Sequence, residues 1–64
     1  MKIMKNLTAK ELTALDETLN SEQVLIKKYQ TMAGQTTDSV IKSKLQTIAG
    51  KHQDHYNQLL TFLS

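Results

Sequence analysis

A chain of 64 residues is one small domain. Domains of this size bury too little surface to be self-sufficient and usually rely on disulfides, a metal or oligomerisation. It has no Cys, which excludes disulfides and fits a reducing compartment. With eight Lys, six acidic residues, no Arg and a net charge of +2, its basic groups are scattered from Lys2 to Lys51 rather than clustered. Nucleic-acid surfaces concentrate Lys and Arg on one face, so nucleic acid is not an expected partner.

The opening residues, Met1 to Asn6, hold no apolar run long enough for a signal peptide or a membrane span. The expectation is a protein made in the cytoplasm, with no membrane partner. Thr8-Ala9-Lys10-Glu11 then has the form of a capping box. The hydroxyl serves the backbone N–H three residues on, and the carboxylate reaches back. Leu7 and Leu12 stand at the spacing of a hydrophobic staple around it.

From that start the apolar residues Leu12, Leu15, Leu19, Ile26, Tyr29 and Ala33 alternate in steps of three and four, with one gap. This is the signature of a helix with one apolar face. Gly34 is expected to close the helix in a left-handed conformation, so the spacing predicts a first helix over about 9–33. Residues 35–38 form a polar connector in which Asp38 or Thr37 is the expected N-cap. The second helix is predicted over about 39–63. Its apolar face is Ile41, Leu45, Ile48, Leu59 and Phe62, widened on one side by Ala49, Tyr56, Leu60 and Leu63. Val24 and Leu25 lie off the central seam of the first helix.

With no Pro and only two Gly, little interrupts either helix. A connector of about five residues dictates an antiparallel pair. The predicted fold is therefore all-α: a single helical-hairpin domain over 1–64. Two such helices leave half of each apolar stripe wet, so the hairpin is expected to dimerise into a four-helix bundle. Gly50, inside the second helix, is expected to admit a neighbouring helix closely.

The gaps in the two stripes carry the chemistry. Glu22 fills the gap in the first helix, and His52 and His55 fill the gap in the second, one turn apart. In an antiparallel hairpin Glu22 falls within about 3 Å along the axis of His52, so the three side chains should converge. Three readings follow. The trio binds a divalent transition metal, since His nitrogen and Glu oxygen suit Zn, Fe or Mn. Alternatively it is an ion-paired register device, or the middle of the seam is hydrated. Tyr29 and Tyr56 read as amphipathic residues at the edge of the core. No Ser–His–Asp arrangement, phosphate loop or HExxH motif is present, so no enzymatic activity is expected.

Three segments carry a family resemblance. They are Leu7-Thr8-Ala9-Lys10-Glu11-Leu12, Glu22-Gln23-Val24-Leu25-Ile26-Lys27-Lys28-Tyr29, and Lys51-His52-Gln53-Asp54-His55-Tyr56-Asn57-Gln58-Leu59-Leu60. The chain resembles the small coat-F-like proteins of spore-forming bacteria. The resemblance implies a ferritin-like fold and a role in the spore coat, with other coat proteins as partners. With the self-association expected from the stripes, the reading is a non-enzymatic structural protein of the coat. Ferritin-like sites take a Glu from one helix and a Glu-x-x-His pair from the next. Glu22 and His55 match two of those elements, while His52 stands where the second Glu would be. That departure removes the bridging carboxylates of di-iron oxygen chemistry. The resemblance therefore implies metal binding by Glu22, His52 and His55 as the alternative to the structural role, and no oxidase or ferroxidase activity.

Overall fold

A computed structural model describes residues 7–63 of the chain; the expectations for Met1 to Asn6 fall outside them. Among the described residues the protein is all-helical. Helix α1 spans Ala9–Gln35, α2 spans Ser39–Leu60, and a short 3-10 turn, η1, covers Thr61–Leu63. α1 and α2 pack on each other along their length as an antiparallel hairpin. The result is a rod. Its Cα extents are 46 × 18 × 13 Å and its radius of gyration is 14.7 Å, against about 11 Å for a compact chain of this length.

Both helix starts follow the sequence. The Thr8 Oγ1 accepts the Glu11 N–H at 3.1 Å, and the Glu11 Oε1 accepts the Thr8 N–H at 2.9 Å, completing the capping box. Asp38 is the second N-cap, its Oδ1 accepting the N–H groups of Val40 at 2.9 Å and Ile41 at 3.0 Å. Each cap satisfies donors that the first turn of a helix leaves without partners.

The helix ends differ from expectation. Gly34 does not terminate α1: it has no left-handed backbone angle, and the helix continues to Gln35. Thr36 ends it instead, turning extended at φ −84°, ψ 143° while its N–H still reaches the Met32 carbonyl. The Thr36 Oγ1 then accepts the Asp38 N–H at 3.2 Å. Hydroxyl and carboxylate side chains thus hold the reversal, supplying the local hydrogen bonds that Ser, Thr and Asp offer in place of helix. At the other end α2 stops at Leu60 rather than 63, where the Thr61 hydroxyl donates to the Gln58 carbonyl at 2.6 Å and the last turn tightens to 3-10.

The seam between the helices is thin. Leu19, Ile26, Ala33 and Ala49 are its buried apolar residues, and among the described residues no side chain is fully enclosed. On α1 the inner line is as expected, with Leu12, Leu15, Glu22 and Tyr29 half-buried between the buried positions. On α2 it is rotated. Leu45, Ile48, Ala49, His52, Tyr56 and Leu59, continued by Leu63 in η1, form the covered line, whereas Ile41, His55 and Phe62 are exposed. The apolar stripe of α2 is wider than the groove that α1 covers. The Ala49–Tyr56–Leu63 edge turns under α1, and the Ile41–His55–Phe62 edge is left outside. Gly50 is not approached by the rest of its own chain, since a Cβ placed there would meet nothing within 4 Å.

Candidate functional site

Glu22 is the central residue of α1, and the two histidines belong to the middle of the rod. Helical spacing sets Glu22 on the line running from Leu19 to Ile26, so the carboxylate is carried into the seam with only 14% of its side chain exposed. His52 meets it directly. Its Nδ1 lies 2.6 Å from the Glu22 Oε1. An ionised carboxylate only accepts, so in this contact the ring Nδ1 is the donor. His55, one turn further, places its Nδ1 3.6 Å from the Glu22 Oε2. At that distance the contact is electrostatic rather than a hydrogen bond.

The rings are braced by one another and by the tyrosine below. Tyr29 and His52 stack with centroids 5.9 Å apart and planes at 6°, and His52 meets His55 edge-on at 5.7 Å and 86°. Tyr29 therefore flanks His52 alongside Glu22, a contact that its reading as a core-edge aromatic did not include. Its spacing from Glu22, seven residues along the same helix, was the available signal. Tyr56 is likewise engaged, accepting from the Gln23 amide at 3.0 Å.

The two histidines are not equivalent. His52 is 23% exposed and His55 is 56% exposed, so only the first is a seam residue of the single hairpin. His55 lines a shallow cleft with Thr18, Glu22, Gln58, Leu59 and Phe62 on one side of the rod. The other side is bordered by Gln23, Lys27, Gln30, Gln46 and Gln53.

Each of Glu22, His52 and His55 offers one ligand atom such that all three atoms lie within 4.8 Å of one another. That donor set suits Zn, Fe or Mn. Ligands around one such ion at about 2.0–2.1 Å stand roughly 3.3 Å apart. The 3.6 Å pair meets that spacing, whereas the 2.6 Å pair is at hydrogen-bond distance and would have to open by a side-chain rotation. Glu22 could instead act behind the metal, orienting His52 through its Nδ1 and leaving the Nε2 to coordinate. As it stands, the geometry is that of a hydrogen-bonded carboxylate–imidazole pair with a second imidazole alongside.

Among the described residues no helix is long and apolar enough to cross a membrane. No family model, no curated protein and no solved structure matches the chain.

Proposed function

We propose that the protein is a non-enzymatic structural element that works by self-association, two hairpins pairing into a four-helix bundle. The observation carrying this reading is the thinness of the seam. Among the described residues only Leu19, Ile26, Ala33 and Ala49 are buried, while Val24, Met32, Val40, Ile41, Leu60 and Phe62 stay exposed. Surface of this kind is normally covered by oligomerisation in chains this small. Static light scattering at low micromolar concentration is expected to give twice the chain mass or more. A folded monomer would overturn the reading.

The setting follows from the resemblance to coat-F-like proteins: deposition in the spore coat alongside other coat proteins. It rests on the three matching segments alone. A fluorescent fusion expressed in a sporulating bacterium should collect around the forespore, and a fusion that stays diffuse through sporulation removes the coat from the proposal.

The convergence of Glu22, His52 and His55 supports a second reading, in which the bundle binds a divalent transition metal. Elemental analysis of untagged protein incubated with Zn or Fe and dialysed should then give half or one equivalent per chain, as rough stoichiometries for a two-fold site. Replacing His52 and His55 together by Leu should abolish the uptake. No uptake by the unsubstituted protein leaves the trio as a polar key that sets the register of the two helices.

A further inference from the structure

The two helices carry two heptad lines on the same side of the seam: Thr18, Leu25 and Met32 on α1, and Ile41, Ile48 and His55 on α2, continued by Phe62 in η1. Residues seven apart on a helix differ by about 20° and share a face. Thr18, His55 and Phe62 line one cleft, which fixes both lines to one side of the rod. Met32, Ile41, His55 and Phe62 along these lines are exposed. The opposite side presents Gln23, Lys27, Gln30, Gln46 and Gln53 around a floor of Ala33, Gly34, Ala49 and Gly50.

We infer that the side formed by these two heptad lines is where a second copy of this chain docks. This rests on the self-association proposed above and says which surface performs it. The pattern along the face is apolar, polar, apolar. Leu25, Met32, Ile41 and Ile48 lie toward the loop, Thr18, Glu22 and His55 at mid-length, and Leu59 and Phe62 toward the open end. A two-fold interface must complement itself, and a face of this kind does so. With loops at opposite ends, apolar thirds meet apolar thirds and the polar middles coincide. With loops at the same end, every level meets its own copy. In both arrangements His55, half outside its own hairpin, faces the Glu22, His52 and His55 level of the partner. The area is sufficient. A helix of about 40 Å across a rod 18 Å wide gives a flat footprint of roughly 700 Å², close to the about 800 Å² per partner of a stable interface.

The test compares charge placed on each side. Ile41→Asp puts a carboxylate on the docking side in the first turn of α2, where the helix itself favours it, so the hairpin should remain folded. Its dimer dissociation constant, from sedimentation across a dilution series, is expected to rise about 100-fold or more. Gln46→Asp on the other side should change it by less than about threefold. A second measurement needs no destabilising change. The chain has no Cys, so Thr18→Cys and Gln23→Cys each report one side at mid-length. A short bismaleimide should trap covalent dimers of the first and not of the second. Wild-type protein that dimerises but is disrupted by Gln46→Asp, or cross-links through position 23, overturns the inference and leaves self-association standing. A folded wild-type monomer overturns both.

Discussion

On one side of the hairpin the residues flanking the seam are Leu25, Met32, Ile41, Ile48 and Phe62; on the other they are Gln23, Lys27, Gln30, Gln46 and Gln53. The helices, their caps and their seam are common to both sides, so the backbone does not distinguish them. What differs is the solvation of the flanking groups. Glutamine amides and lysine ammonium groups are satisfied by water, whereas exposed Met32, Ile41 and Phe62 are not. The contrast divides the wide stripe of α2 in two. One edge builds the hairpin and the other is held out of it, with Glu22 and the two histidines between them.

The comparison breaks outright if the seam common to both sides is removed. Ile26 is one of the few buried apolar side chains, and Ile26→Ala should cost about 2–4 kcal/mol. For so thin a core that is most of the available stability, and urea denaturation followed by circular dichroism should show the transition collapse toward zero denaturant. A midpoint close to wild type would mean that the packing resides elsewhere. A sharper probe lies on the glutamine side. Gly50 is helical and a Cβ there meets nothing within 4 Å. Gly50→Ala should therefore raise stability by about 0.5–1 kcal/mol, read as a higher thermal midpoint. Destabilisation instead would reveal that this side is also covered at close range.

The smallest effect belongs to the exposed start of α1, away from either face. The Glu11 carboxyl is held below its ordinary range, first by the Thr8 backbone N–H and then by the Thr8 side chain. A depressed carboxyl pKa contributes stability that is present above the unfolded value and lost as pH falls through the lowered folded value. Helicity measured on acid titration should therefore carry a slight component that Glu11→Gln removes. An unchanged titration curve in that variant would detach the cap from the acid response.

Much of this was legible in the residues because it is local. Thr8 and Glu11, and Asp38 two residues before Val40, are caps whose partners lie within one helical turn. The line from Leu12 to Ala33 is a single unbroken period once Glu22 is admitted to it, and the meeting of Glu22 with His52 follows from loop length and helical rise. α2 was less readable. Ile41, Leu45, Ile48, His52, His55, Leu59 and Phe62 make one ladder, and Leu45, Ala49, His52, Tyr56, Leu59 and Leu63 make another. Both have helical spacing, so which one turns inward depends on α1 and not on α2's own pattern. Gly34 misled for a related reason: a glycine permits a left-handed residue without requiring one, and the Thr36 and Asp38 side chains made it unnecessary.

The three-residue reversal at Thr36 to Asp38 also sets an order of events. Pairings beside the loop close a short stretch of chain, whereas those joining Leu12 to the far end of α2 must close nearly all of it, and closure entropy grows with that length. A hairpin tied at one end by side-chain hydrogen bonds should zip from the loop and open from the termini. Amide exchange should accordingly slow from the Leu12 end toward Ala33, with the Glu22–His52 contact opening at the middle of that course. If a partner docks with its loop at the opposite end, each chain's slow-opening end lies over the other's fast-opening one. The gradient would then flatten as protein concentration rises.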